Sequence, residues 1–170
     1  MNTRVLVTYA TRGESTASVA VAIGRILAAD GVNVDVLPVG VIKSAEIYSA
    51  VVVGSGIRNG AWLPEAVDFV REHSAVLRNK PLALFTVCMS VADPAPESQR
   101  EVETYLDPLL NIAQPFSVGY FAGRLEPSQH NLLERARVTL KGLPTGDHRD
   151  WTAIHDWTLG LEGVIAPIAI

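Results

Sequence analysis

Cysteine is almost missing from this chain: Cys88 stands alone, which excludes an internal disulfide framework and a cysteine-based zinc centre. No apolar run reaches the roughly 18 residues that span a bilayer, and the N-terminal residues alternate like a strand rather than forming a basic, apolar leader. A soluble, cytoplasmic, reducing setting is therefore expected, with membrane association absent or at most peripheral. Basic surplus is also lacking. Fourteen Lys and Arg face eighteen Asp and Glu, for a formal net charge of −4, which argues against a nucleic-acid partner. The four histidines, His73, His130, His148 and His155, show no paired ligand spacing, so neither a metal site nor a Ser-His-Asp triad is expected. Two phosphate-binding signatures are absent as well: Gly-x4-Gly-Lys-[Ser/Thr] of nucleotide triphosphatases and Gly-x-Gly-x-x-Gly of dinucleotide folds.

What the chain does have is a hydroxyl-rich turn. Thr11-Arg12-Gly13-Glu14-Ser15-Thr16 follows the apolar run Val5-Leu6-Val7 and precedes an amphipathic stretch from Ala17 to Ala29. A strand ending in a turn that opens a helix presents free amides and the positive end of the helix dipole, a natural seat for phosphate. Thr11, Ser15 and Thr16 add hydroxyl donors. With the nucleotide triphosphate and dinucleotide patterns excluded, a monophosphate remains, and FMN is the cofactor that fits. The rival reading is a plain N-cap, in which Thr11 or Ser15 merely satisfies the first amides.

Strand-like and helix-like segments alternate along the chain, as βαβ units do. Strands are expected at Arg4–Tyr9, Asn33–Leu37, Ala50–Gly54, Pro81–Val87 and Phe116–Phe121. Helices are expected near Ala17–Ala29, Leu63–Leu77, Glu97–Ala113 and Trp151–Leu161, with a short helical piece around Asn131–Lys141. The central strands are almost wholly apolar, which suits a parallel sheet covered on both faces. The fold class is α/β: one domain over residues 1–170, with a five-stranded doubly wound sheet in the order 2-1-3-4-5 and three α/β/α layers. The apolar end, Val164 to Ile170, is expected as a strand or a packed tail.

Ligands of such sheets sit beyond the carboxyl ends of the strands. That selects two further loops. Ser55 to Trp62 offers glycines for close approach, with Arg58 and Trp62 to lie against a flat ring. Cys88-Met89-Ser90-Val91-Ala92-Asp93 offers backbone groups for the ring's polar edge, where hydrogen bonds tune a flavin. Each has a plainer alternative: a bare strand-to-helix connection, a packing tryptophan, and an inert thiol at a strand end.

With these residues in place, the chain resembles the flavodoxin-like proteins, and within them the menaquinone-dependent protoporphyrinogen oxidase branch. The shared stretches are Tyr-Ala-Thr-Arg-x-x-Ser-Thr at 9–16, Val-Val-Gly-Ser-x-Ile-Arg-x-Gly at 52–60, Leu-Pro-Glu-Ala at 63–66 and Phe-Ala-Gly-Arg-Leu at 121–125. Leu-Leu-Glu-Arg-Ala at 132–136 and Gly-Asp-x-Arg-Asp-Trp-x-x-Ile at 146–154 complete the set. The resemblance implies non-covalent FMN held at the phosphate by Thr11, Arg12, Ser15 and Thr16. It implies ring contacts from Ile57, Arg58, Asn59 and Gly60, and from the loop carrying Cys88, Met89, Ser90 and Asp93. It further implies a redox partner, whether a small molecule, a quinone or a protein. Two departures stand out. Glu14 occupies a position usually held by glycine, so its carboxylate is expected to face solvent. The stretch Glu126–Lys141 is shorter and more polar than the insertion of the membrane-associated oxidases. The function expected is an FMN-dependent oxidoreductase, with a one-electron carrier or a cofactor-free binding module on the same fold as alternatives. A homodimer is left open.

Overall fold

The computed structural model describes residues 3–126 and 131–165. Five parallel strands form its centre: β1 (Arg4–Ala10), β2 (Asn33–Pro38), β3 (Ala50–Arg58), β5 (Leu82–Val87) and β6 (Ser117–Phe121), side by side as β2-β1-β3-β5-β6. Counting these long strands alone gives the expected order 2-1-3-4-5. β5 is buried at every position and β3 over its first six, because helices cover both faces. One face packs Val5, Val7 and Phe85 against Val19, Ile23 and Leu27 of α1 (Ser15–Ala29) and Ile154 and Leu161 of α7 (Trp151–Ile165). The other packs Leu6, Val51, Val53 and Leu84 against Phe69 and Val70 of α2 (Pro64–Glu72), with Val102 of α4 (Pro96–Thr104) and Leu109 of α5 (Asp107–Leu110) beside them. The three layers are thus α/β/α.

Several boundaries move for identifiable reasons. The helix expected over 97–113 divides into α4 and α5. Pro108 lacks an amide hydrogen, and its ring would strike the carbonyl four residues back. The helix expected over 63–77 ends at Glu72, and a short α3 (Ser74–Leu77) follows after His73. β3 runs on past Gly54 to Arg58 and turns back as the short β4 (Ala61–Trp62), pairing Ile57 with Trp62 and Arg58 with Ala61. The turn is Asn59-Gly60, with φ of 53° and 71°. Two consecutive left-handed residues make the tight turn that matches strand twist, and Asn-Gly is the pair that tolerates it best. The loop is therefore a hairpin, not a bare connection.

After β6 the chain makes an excursion. β7 (Arg124–Leu125) pairs antiparallel with β8 (Gly146–Asp147), and between them lies α6 (Leu132–Lys141). Val164 and Ile165 close α7 rather than starting a strand, while the tail from Ala166 and the side chain of His130 lie outside the described residues. Among the described residues no helix is long and apolar enough to cross a membrane.

Candidate functional site

Strand register aligns the loops. Ala10 lies beside Ser55, Gly56 beside Val87, and Val87 beside Phe121. The turn after β1, the hairpin after β3 and the loop after β5 therefore share one sheet edge. Gly123 and Arg124, just beyond β6, reach the same place.

The phosphate turn is open where it matters. Glu14 sits at the N-cap of α1 without a capping side-chain bond, and among the described residues no acceptor takes the amides of residues 14–17. Thr16 is only 3% exposed, yet its hydroxyl makes no hydrogen bond within the described chain. The oxygen itself is not sealed off, since the buried side-chain oxygen without a partner among the described residues is Thr8 Oγ1, so the Thr16 hydroxyl can reach a ligand from an otherwise buried side chain. Glycines keep both flanks bare. A Cβ on Gly56 would lie 3.2 Å from Thr16 Oγ1, and one on Gly123 would lie 3.3 Å from Ser15 Cβ. Uncapped amides, an unengaged but reachable hydroxyl and two side-chain-free walls together fit a phosphate group.

Other members of the turn are already engaged. Thr11 Oγ1 donates to the Gly13 carbonyl at 2.5 Å and accepts the Gly13 amide at 3.2 Å, so it shapes the turn. Arg12 forms a two-pronged ion pair with Glu65 of α2, one prong at 2.9 Å. The guanidinium holds the Glu65 carboxyl below its usual range. Ser15 Oγ donates to the Arg124 carbonyl at 3.1 Å and accepts the Arg124 amide at 2.9 Å. Arg12 and Ser15 thus brace the cradle within the chain through partners of their own. Glu14 is exposed, as its charge requires.

A second brace was not legible in advance. Arg149 donates from Nη1 to Ser18 Oγ at 2.9 Å and grips Asp147 through Nε at 2.8 Å and Nη2 at 2.6 Å. Its guanidinium lies 4.9 Å from the ring centre of Trp151, which is exposed. The His148 amide also bonds the Gly123 carbonyl at 3.0 Å. The Gly-Asp-His-Arg-Asp-Trp stretch therefore ties the β7–β8 ribbon to the first turn of α1. Asp150 takes the capping role at α7, accepting the Ala153 amide at 2.9 Å.

On the ring side, Ile57, Arg58, Asn59 and Gly60 occupy the hairpin at the sheet edge. Arg58 reaches Glu134 of α6 at 3.6 Å. Trp62 does not join them. It is 3% exposed, and its indole Nε1 donates to Thr86 Oγ1 at 2.8 Å inside the core. The expected stacking partner is a packing residue instead. Trp62→Phe should lower stability by about 1–3 kcal/mol, because Thr86 loses its buried donor. FMN affinity should stay unchanged in fluorescence titration, and a loss there would return the indole to the ring.

In the third loop, Met89 is buried and Cys88 is half-buried. Burial pushes the Cys88 thiol up to about 11, so it is a neutral thiol at physiological pH, as its plain reading had it. Folded protein should react with iodoacetamide at neutral pH far more slowly than urea-unfolded protein. Comparable rates would mean an accessible thiolate. Asp93 accepts the Ala95 amide at 3.0 Å and the Ser98 hydroxyl at 2.6 Å, which pull its carboxyl below the usual range. It organises the start of α4, and Ser90 is left half-exposed at the loop's crest.

The family profile described as Flavodoxin domain matches residues 6–151. The chain belongs to the flavodoxin domain family. Solved flavodoxins share its architecture. A short-chain flavodoxin associated with a non-canonical PDU bacterial microcompartment superimposes with a TM-score of 0.62 at 16% identity, over 96% of this chain and 99% of that one. A flavodoxin from the Archaea gives 0.53 at 20% identity, over 81% and 94%. Bacillus cereus flavodoxin 1 gives 0.54 at 15% identity, over 91% and 98%. At such identities the likeness speaks for the fold. No curated protein matches the chain. Flavodoxin-family membership implies FMN, and the cradle at Thr16 suits its phosphate.

Proposed function

We propose that this flavodoxin-family protein is an FMN-dependent oxidoreductase acting on a small carboxylate-bearing molecule of the protoporphyrinogen type. The charge pattern of the rim is the observation that supports this reading. Four arginines border the edge, and each pairs with a carboxylate: Arg12 with Glu65, Arg58 with Glu134, Arg124 with Glu126 and Arg149 with Asp147. Of the other two carboxylates, Asp93 is bound up in its own loop, and Glu14 lies within the field of Arg149. Among the described residues the rim therefore mixes both signs, four arginines against six carboxylates, with most charges paired, whereas a carrier that draws a basic protein partner relies on a strong single-sign field. The guanidiniums of Arg12, Arg58 and Arg124 keep 40–49% of their side-chain surface exposed, leaving donors for a second carboxylate from a substrate.

FMN supplies the redox chemistry when bound; the chain binds and orients it. Of the titratable groups in the loop after β5, Cys88 stays a thiol and Asp93 is committed to hydrogen bonds, so neither is poised as an acid or base. The test is anaerobic turnover of protoporphyrinogen by FMN-loaded protein with a quinone as terminal acceptor. Catalytic appearance of protoporphyrin is expected. FMN-loaded protein that fails to turn over, yet exchanges electrons rapidly with a protein reductase, would make it a carrier. A colourless protein that takes up no added FMN would leave only a binding module.

A further inference from the structure

The four rim arginines are not alike. Arg12, Arg58 and Arg124 keep 40–49% of their side-chain surface exposed, whereas Arg149 keeps 15%. Its guanidinium is held at Nε, Nη1 and Nη2 and lies against the ring of Trp151. A planar fork engaged at all three nitrogens has one orientation, which the flexible ammonium of a lysine would not reproduce.

The contacts of Arg149 close a circuit. It meets Ser18 Oγ, and that hydroxyl donates to the Ser15 carbonyl at 2.8 Å. Ser15 Oγ joins the Arg124 backbone in both directions. Beside Arg124, the Gly123 carbonyl accepts the amide of His148, the neighbour of Arg149 in sequence. Thr16 lies within the circuit, between Ser15 and Ser18, and Gly123 forms the bare wall against Ser15. The circuit thus sets the spacing between the first turn of α1 and that wall. Asp147 balances the charge of Arg149, so the arginine bears on an anion here through shape rather than through net charge.

We propose that Arg149 is a positioning residue for the FMN phosphate: through Ser18 and Asp147 it fixes the spacing of the cradle and couples its occupancy to order in the β7–β8 ribbon. The inference rests on the placement of the phosphate at the first turn of α1. Such coupling is reciprocal. If the clamp favours the anion, the anion tightens the clamp by the same factor.

Titration with FMN and with riboflavin separates this role from general stability. Riboflavin lacks the phosphate, so the ratio of the two affinities isolates the cradle. Arg149→Gln should lower that ratio by about tenfold. Arg149→Lys should not restore it, because lysine keeps the charge and loses the fork. Ser18→Ala should lower it too, and the double variant should fall no further than the weaker single one, since both cut one link. In the wild type, FMN but not riboflavin should slow amide exchange at Arg124 and His148, and Arg149→Gln should abolish that slowing. Equal losses for both ligands would make Arg149 a structural brace only, and full restoration by lysine would make it a plain source of charge. Either result overturns the proposal. Equal wild-type affinities for the two ligands would overturn the placement of the phosphate and this role with it. A preference for FMN that Thr16→Val lowers and Arg149→Gln leaves intact would overturn the role alone.

Discussion

Thr16→Val should weaken FMN binding by about 1–3 kcal/mol, roughly five- to 150-fold in Kd. Valine copies the shape of threonine, so the helix and the wall at Gly56 are preserved. What disappears is the hydroxyl of this turn that has no partner among the described residues, in the first turn of α1 beside its uncapped amides. Riboflavin provides the control, because it carries the same ring without the phosphate. Its affinity should be the same for both proteins, and only the FMN titration should shift. Equal FMN affinities would mean that the phosphate lies elsewhere. Ser15→Ala should behave differently. Its hydroxyl joins the Arg124 backbone in both directions, so the ribbon should loosen, visible as faster amide exchange at Arg124.

Phe85→Ala should have the largest effect on stability. The ring is fully buried in the sheet face beneath α1 and α7. Trp157 meets it edge-on at 6.3 Å, and Phe121 lies 6.5 Å away. Gly54 on the neighbouring strand has no side chain because the ring fills its place; a Cβ there would sit 2.0 Å from the ring. A glycine cannot collapse into the vacated volume, so a cavity remains. The loss should be about 3–5 kcal/mol. For a chain of this size that lowers Tm by roughly 6–20 °C. A denaturant melt showing less than about 1 kcal/mol would mean that Trp157 or Phe121 swings in to refill the space.

Residue patterns made much of this molecule legible. The buried strands announce themselves as unbroken apolar runs, and α1 by its stripe from Val19 to Leu27. The Asn59-Gly60 pair is a local turn signal of the same kind, yet the loop was expected only as a connection. Pro108, whose local effect divides α4 from α5, lay inside a stretch expected as one helix. These are local effects, set by dihedral preference and by residues near in sequence.

Side-chain roles were harder to read. Arg12 and Ser15 sit inside a phosphate-like motif, yet their partners, Glu65 and Arg124, lie 53 and 109 residues away. Arg149 reaches Ser18 across 131 residues. Trp62 follows the loop expected to meet the ring, but only the hairpin that folds β4 back on β3 brings its indole to Thr86.

From sequence alone follow the strand order and the layers, and the sequence also singles out the sheet edge and the turn at Thr11–Thr16 as the place to look for a ligand. Each arises from periodicity and local backbone preference, which neighbouring residues carry. Tertiary structure alone decided which hydroxyl of that turn remains free. It also paired the rim arginines with carboxylates. Hydrogen bonds and ion pairs between distant segments have no periodic trace, because their geometry exists only once the sheet has brought those segments together.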